Sequence, residues 1–453
     1  MKYSLKNFLK YAGSIKPSQR QLDWYATEFY AFIHFSPNTY TNLEWGLGNE
    51  DPKVFNPVDL DCDSWVEAVK SAGMKGLILT AKHHDGYCLW QTETTLHSMK
   101  SSPFKDGKGD IVKEAAEACK RGGIKFGFYL SPWDRNSKYY GTDEYNDYYC
   151  AQLTELLTNY GEVFEVWFDG ACGEGPNGKK QEYDFDRYIA LIRKYQPNAV
   201  IFNDHGPDVR WCGNESGSAR YAEWAVIPKE LGFRCESQTN EYQIKGTALK
   251  GNLDGMYNSD PNIGALSNIL YSEELVFAGS EIDMSIRPGW FYHPNEEPHS
   301  LERLFRTYVD SVGGNCGFNL NIPPMPSGRF DDRDIKRLAE LGGALNKAFG
   351  TKLAPEITKD VSIVSDTQVA YTVKFAEATQ VNYITLCEDI SQGQRVETFC
   401  FRNKDDMGKW NSFYNGTCIG NKKICRVSHK LKEFQILISA ARDTVNLKEI
   451  SLY

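Results

Sequence analysis

The stretch EVFEVWFDGA, residues 162–171, decides the expected fold. Its apolar residues form a short, nearly continuous run that Gly170 ends, which is typical of a strand buried on both faces of a parallel sheet. Asp169 stands at the carboxyl end of this run. Because barrel enzymes carry their catalytic groups at the carboxyl ends of their strands, Asp169 is a candidate catalytic residue. The alternative is an aspartate that caps the next helix or pairs with an arginine.

A strand-then-helix rhythm surrounds this stretch. Further strand-like segments are 29–36, 76–80, 125–130, 199–202, 282–286 and 316–322, and helix-like segments between and after them are 64–73, 111–121, 143–160, 185–195 and 332–349. Alternating strands and helices predict a parallel sheet, and about eight such units predict an α/β fold of the (β/α)8 barrel type. A doubly wound open sheet is the alternative. Residues 206–280 predict long loops, and the sixth unit has no clear position there.

The pattern changes after Gly350. Residues 361–453 contain short alternating segments, VAYTVKF, VNYITLCE, ETFCFRN, FQILISA and KEISLY, without a helical face. Such segments predict an all-β sandwich. We therefore expect two domains, a catalytic barrel over residues 1–350 and a C-terminal sandwich over 351–453. The sandwich either binds glycans or supports the barrel.

Composition limits the partners. The net charge is −9 and there is no block of Lys and Arg, which argues against nucleic acid and anionic membranes as partners. No run reaches the 18 apolar residues that indicate a membrane span, and the first 25 residues lack the apolar core of a secretory signal. We expect a cytoplasmic protein, or a periplasmic or secreted one if a signal was removed. The oligomeric state stays open.

Histidines and aromatic residues follow several predicted strands. They are His34, His83, His84, Tyr129, His205, Trp290 and His293. Neutral histidines exchange hydrogen bonds with hydroxyl groups, and together with aromatic rings they indicate a sugar-binding site.

Metals and cofactors are not expected. His83 and His84 are adjacent, so on a strand their side chains point to opposite faces and cannot share one ion. The glycine-rich segment 173–178 follows a strand, but Pro176 stiffens it and the next helix begins several residues later. A dinucleotide phosphate would therefore not meet a helix N-terminus.

Sugar hydrolysis needs two carboxyl groups, which stand about 5–5.5 Å apart in a retaining enzyme. Asp169 is the natural nucleophile. The proton donor needs a raised pKa and can lie on a loop. Glu215 in RWCGNESG (210–217) is the favoured residue because glycines flank it, and the competitors are Glu174, Glu223 and Asp208.

Seven motifs give the chain a family resemblance. They are FIHFSPNTY (32–40), EWG (44–46), KHHDG (82–86), FYLSPWD (128–134), VWFDG (166–170), GNES (213–216) and SIRPGWFYH (285–293). This set resembles the α-L-fucosidases of glycoside hydrolase family 29. The resemblance implies a (β/α)8-like barrel followed by a β-sandwich, a retaining mechanism, and no cofactor.

The resemblance also implies residue roles. Asp169 matches the nucleophile, and the GNE form supports Glu215 as the acid/base and resembles the branch that prefers α-1,3/1,4-linked fucose on oligosaccharides or glycoconjugates. The positions that match substrate-binding residues are His34, Glu44, Trp45, His83, His84, Tyr129 and Trp290. Two alternatives remain: a non-catalytic fucose-binding or glycan-binding protein on the same scaffold, and a metal-assisted hydrolase.

Overall fold

The computed structural model describes residues 4–203, 206–229, 262–270, 272–365 and 367–453. Its first ten strands are β1 Phe29–Ile33, β2 Gly76–Lys82, β3 Lys125–Leu130, β4 Glu165–Trp167, β5 Val200–Phe202, β6 Val209–Trp211, β7 Val226–Pro228, β8 Leu275–Phe277, β9 Gly279–Ser285 and β10 Cys316–Asn321. Eight of them close into a parallel barrel in the order β1-β10-β9-β6-β5-β4-β3-β2. The predicted barrel is thus confirmed, and the open sheet is excluded. Strands β7 and β8 pair antiparallel outside it.

Helices alternate with most barrel strands. They are α1 Leu5–Gly13, α2 Gln19–Thr27, α3 Asn38–Thr41, α4 Cys62–Ser71, α5 Ile111–Gly122, α6 Glu144–Asn159, α7 Phe185–Tyr195, α8 Leu266–Ile269, α9 Leu301–Ser311 and α10 Asp332–Phe349. Local sequence explains their ends: Asp110 caps α5 by accepting from Lys113 N at 2.8 Å, and Gly123 ends it at φ +70°. Within the described ranges, no helix has the length and apolar character needed to span a bilayer.

The sixth barrel strand, which the sequence did not locate, is the three-residue β6. Strand β5 ends at Phe202 and β6 begins at Val209, an interval too short for a helix. The sequence prediction depended on strands alternating with helices, and the described residues between β5 and β6 include no helix. His205 and residues 230–261, which the reading assigned to strand ends and loops, lie outside the described residues.

The C-terminal strands form an antiparallel β-sandwich, as predicted. They are β11 Glu356–Ser365, β12 Gln368–Glu388, β13 Val396–Lys404, β14 Trp410–Gly416, β15 Lys423–Ala441 and β16 Leu447–Leu452. The segments VAYTVKF and VNYITLCE, expected as separate strands, both belong to β12, whose pairing with β15 shifts register between Lys374 and Thr379. Residues from both halves of these long strands pack into one apolar core.

We propose that the two domains divide between residues 350 and 351, because α10 ends at Phe349 and β11 begins at Glu356. Contacts join the two sides of this division. The ring of Phe349 lies 4.9 Å from that of Tyr383, and Arg426 forms an ion pair with Asp310 at 2.6 Å. These contacts favour a supporting role for the sandwich.

A pair of carboxyl groups lies at the centre of the barrel. Glu165 on β4 and Glu281 on β9 are fully buried, and two strands separate β4 from β9, so the side chains meet across the interior. Glu281 accepts hydrogen bonds from Tyr30 Oη, from Trp167 Nε1 at 2.8 Å and from Asn319 Nδ2 at 3.1 Å. Three donors of this kind suit a carboxylate rather than a neutral acid.

Glu165 carries the proton of this pair. Burial, and then the charge of Glu281, raise the pKa of Glu165 well above its ordinary value. Its Oε2 accepts from Trp24 Nε1 at 3.1 Å, whereas Oε1 accepts from no donor among the described residues. The side-chain hydrogen bond between the two carboxyl groups needs a proton, and Glu165 supplies it. The pair is therefore one neutral acid beside one buried carboxylate that accepts three further hydrogen bonds.

This arrangement predicts a pH-dependent stability that Glu165→Gln removes. Because the pKa of Glu165 is raised on folding, wild type loses stability as pH rises above the unfolded value of about 4.3, with a slope approaching 1.4 kcal/mol per pH unit. A glutamine amide keeps the hydrogen bond to Glu281 without titrating. Urea denaturation measures the free energy of unfolding of both proteins. The value for Glu165→Gln minus that for wild type should increase as the pH rises.

Glu165→Ala is the matched control, since it leaves a cavity and should be less stable at every pH. Parallel pH profiles for wild type and Glu165→Gln would contradict the protonated state of Glu165.

Candidate active site

A cavity of about 250 Å³ opens at the carboxyl ends of the barrel strands. All nine predicted site residues line it: His34, Glu44, Trp45, His83, His84, Tyr129, Asp169, Glu215 and Trp290. Closure of the barrel causes this convergence, because parallel strands all end at the same face. The predicted spatial cluster thus exists, while the role of each residue stays a prediction.

Asp169 lies two residues beyond β4, and its side chain is 25% exposed. Tyr129 Oη donates to Oδ2 at 3.0 Å, and Ala171 N donates to Oδ1 at 2.7 Å. Burial raises the pKa of Asp169, whereas these two hydrogen bonds lower it. They hold the carboxylate in one orientation at the cavity wall.

The two alternative explanations of Asp169 do not apply to the described residues. Helix α7 is capped by Asp184, which accepts from Arg187 N at 3.1 Å. His84 Nε2 lies 3.8 Å from Asp169 Oδ2, and no arginine of the described part lies within ion-pair distance of Asp169.

The three cavity histidines are neutral. Burial lowers the pKa of His34 and of His84 to about 3, and it lowers that of His83 well below the ordinary value. A neutral ring offers one N–H donor and one acceptor nitrogen, so the tautomer decides what each ring can bind.

Hydrogen bonds assign the tautomers of two rings. Ser131 Oγ donates to Trp133 O at 2.7 Å, so it must accept from His84 Nδ1, which lies 2.7 Å away. Asn321 Oδ1 is an acceptor 2.9 Å from His34 Nδ1. In both rings Nδ1 therefore carries the proton, and Nε2 is left as an acceptor for a hydroxyl group.

Glu215 stands on the turn that follows β6, and its side chain is exposed. Gly213 and Gly217 flank it at φ +93° and +74°, as the glycine pattern predicted, and a Cβ on Gly217 would lie 2.6 Å from Met284 Sδ. Asn214 Oδ1 accepts from the backbone N–H of Ser216 and of Ser218 at 3.1 Å. The turn is thus held by its own side chain.

The indole of Trp290 orients Glu215 from the neighbouring loop of the barrel rim. Its Nε1 donates to Glu215 Oε2 at 3.1 Å, and its ring lies 5.0 Å from that of His34. Trp290 comes from the turn after β9, so two loops of the barrel rim meet at this hydrogen bond.

Glu44 anchors the same turn. Its Oε2 accepts from Trp290 N at 2.8 Å, and its Oε1 lies 2.6 Å from His293 Nε2. Glu44 was expected to bind substrate, and the structure gives its carboxylate a second task, which is to hold the turn that carries Trp290.

Three competing carboxylates do not line the cavity. Glu223 is buried between Arg210 at 3.0 Å and Arg220 at 2.6 Å, which lower its pKa despite its burial. Asp208 forms ion pairs with Arg20, at 3.0 Å, and with Arg193. Glu174 is exposed and outside the lining. Glu223 and Asp208 are excluded as proton donors because each is paired with two arginines, and Glu174 is excluded because it lies outside the cavity.

The sequence reading missed four side chains in the lining, which are Phe32, Trp167, Trp211 and Asp283. Asp283 is 3% exposed on β9, and Trp211 Nε1 donates to its Oδ1 at 2.7 Å. The signal was present: in GSEIDMS, polar residues recur at Glu281, Asp283 and Ser285, which is the period of a strand with one polar face.

Comparisons with known proteins agree with this geometry. The family model described as alpha-L-fucosidase matches residues 8–240. "Alpha-L-fucosidase 1" of Arabidopsis thaliana is 38% identical over 96% of this chain and 87% of its own length. The crystal structure of an α-L-fucosidase-like protein of Bacteroides ovatus has TM-score 0.88 and 41% identity, covering 100% of this chain and 76% of that one.

A third relative was solved with a ligand. The GH29 fucosidase of Ruminococcus gnavus, in complex with fucose, has TM-score 0.81 and 28% identity, covering 97% of this chain and 95% of that one. Barrel and sandwich are both included in these overlaps.

The tautomer assignment predicts a spectroscopic signature. In ¹⁵N-labelled protein, His34 and His84 should show the neutral Nδ1–H pattern between about pH 5 and 8, where an ordinary histidine titrates. Ser131→Ala removes the acceptor of His84 alone, so it should change the His84 signals and leave those of His34. Titration of either ring in this range, or an Nε2–H pattern in wild type, would contradict the assignment.

Proposed function

Because the chain belongs to the α-L-fucosidase family, glycoside hydrolase family 29, and is an α-L-fucosidase, we propose that it releases terminal fucose with retention of configuration. In this mechanism Asp169 attacks the anomeric carbon and Glu215 protonates the leaving oxygen, then deprotonates the water that cleaves the fucosyl-enzyme. The observation that carries the proposal is that these two carboxyl groups, from different strand ends, line one sugar-sized cavity.

The surroundings of Asp169 suit a nucleophile. Tyr129 and the Ala171 N–H donate to separate oxygens of the carboxylate, so it is aimed without being neutralised by a cation. Among the described residues that line the cavity, none is Lys or Arg. The fucosyl transition state is itself positively charged, and Asp169 is then the charge that meets it.

The surroundings of Glu215 suit an acid/base. It is the exposed carboxyl of the pair, which allows proton exchange with the water that enters for the second step. The Trp290 hydrogen bond orients it without adding charge. A group that must be an acid in one step and a base in the next needs such an uncharged partner.

The remaining lining suits fucose. The acceptor nitrogens of His34 and His84 accept hydrogen bonds from hydroxyl groups, and His84 Nε2 lies 3.8 Å from Asp169 Oδ2, so the hydroxyl that donates to His84 lies beside the proposed nucleophile. Fucose has a methyl group in place of a 6-hydroxyl, and the rings of Phe32 and Trp290, 6.3 Å apart, offer it an apolar surface. The fucose bound to the R. gnavus relative supports this ligand.

Azide chemistry tests the two roles separately. Asp169→Ala should lose more than about 10⁴-fold of kcat on an aryl fucoside, and azide in the vacated space should yield β-L-fucosyl azide. Glu215→Ala should retain an activated aryl fucoside as substrate, and azide should yield the α-anomer, because it attacks the fucosyl-enzyme from the opposite face.

The configuration of each product is read by NMR. Near-normal activity in Asp169→Ala would remove its role, and the absence of azide rescue in Glu215→Ala would remove that of Glu215. Glu223→Gln is not a suitable control because it breaks two buried ion pairs, whereas exposed Glu174→Gln should leave activity unchanged.

We expect a preference for α-1,3- and α-1,4-linked fucose. The G-N-E form of the acid/base turn supports it, and Trp45, 57% exposed beside the cavity, offers a platform for a branched leaving group. Fucose released from oligosaccharides with α-1,2, α-1,3, α-1,4 and α-1,6 linkages measures it. Faster release from α-1,2 or α-1,6 linkages would contradict the preference.

A further inference from the structure

Asp283 is a third carboxyl group in the cavity, and the two-carboxylate mechanism does not use it. It lies on β9, which is hydrogen-bonded to β6, and β6 leads directly into the turn that carries Glu215. Asp283 therefore lies beside Glu215 in the cavity lining, and one strand, β10, separates β9 from β1, which leads to His34. A buried carboxyl group that lines a substrate cavity is in a position to contact the substrate.

The proton of Asp283 can be located. Burial, followed by the neighbouring charges of Glu215 and Glu281, raises the pKa of Asp283 well above its ordinary value. Ionised Asp283 would also add a negative charge to a cavity where the lining residues that the structure describes include no Lys or Arg. Since Oδ1 accepts the indole N–H of Trp211 at 2.7 Å, the neutral acid carries its proton on Oδ2.

We infer that Asp283 acts as a neutral hydrogen-bond donor to a hydroxyl group of the bound fucoside. His34 and His84 are acceptors at Nε2, so a donor elsewhere in the cavity lining complements them: the histidines accept hydrogen bonds from sugar hydroxyls, and Asp283 donates one to a hydroxyl oxygen. The hydroxyl belongs either to the fucosyl ring or to the sugar that leaves beside Glu215. This inference rests on the proposed function of the same cavity.

Asparagine separates a neutral donor from a carboxylate at this position. In Asp283→Asn, the amide oxygen accepts from Trp211 and the amide nitrogen donates into the cavity, which reproduces the hydrogen bonds of the neutral acid. Asp283→Asn should therefore keep kcat/KM within about threefold of wild type, while Asp283→Ala should lose about tenfold or more, the effect of one hydrogen bond.

Two substrates identify the hydroxyl. Both variants are assayed on an aryl fucoside, whose leaving group has no sugar hydroxyl, and on a fucosylated oligosaccharide. A loss in Asp283→Ala on both substrates assigns the hydroxyl to the fucosyl ring, whereas a loss on the oligosaccharide alone assigns it to the leaving sugar.

The inference is overturned if Asp283→Asn is impaired as much as Asp283→Ala while its melting temperature stays that of wild type, because a charged carboxylate is then required. It is also overturned if neither variant loses activity on either substrate. If Asp283→Ala does not fold, Asp283→Asn alone still decides between the neutral and the charged form. Azide rescue of Asp283→Asn with an α-fucosyl product would make Asp283, not Glu215, the acid/base, and would contradict the proposed function as well.

Discussion

A single proton between Glu165 and Glu281 makes the polar interior of the barrel possible. If both buried groups were ionised, they would repel each other, because the protein interior screens charge poorly. One shared proton replaces this repulsion with a hydrogen bond. Glu281 then accepts from Trp167, which packs on Phe202 with ring centroids 4.1 Å apart. Trp167 forms part of the cavity floor, so the site is built on this pair.

Buried groups that line the cavity are also mostly uncharged. The histidines are neutral because burial lowers their pKa, and Asp283 is neutral because it is buried beside other acids. Among the described residues, two hydrogen-bond donors and no cation oppose the burial that raises the pKa of the proposed nucleophile Asp169. A site of this kind recognises hydroxyl groups through fixed donors and acceptors and leaves its negative charge for a cationic transition state.

The rim of the cavity is held by contacts between loops as well as by those within the Glu215 turn. Trp290 N donates to Glu44, its indole Nε1 donates to Glu215, and its carbonyl oxygen accepts from Asn321 Nδ2. Asn321 Oδ1 also accepts from His34. A change in any of these residues therefore displaces more than one cavity group. Such coupling connects the candidate acid/base to a histidine that lies on the other side of the barrel.

Local sequence alone determined much of the architecture. The apolar run at β4, the caps of α5, the full length of α10 and the polar residues at the strand ends are read from neighbours in the chain, because periodicity and capping are local effects. Their alternation predicts a parallel sheet, and the closure of that sheet into a barrel is seen in the structure. Only the tertiary structure decided the rest: that β6 follows β5 without a helix, that Glu223 is neutralised by Arg210 and Arg220, that Glu165 and Glu281 share a proton, and that Asp283 faces the cavity. These features depend on which side chains meet across the barrel, and a strand's sequence records its own two faces but not the distant residue that each face will meet.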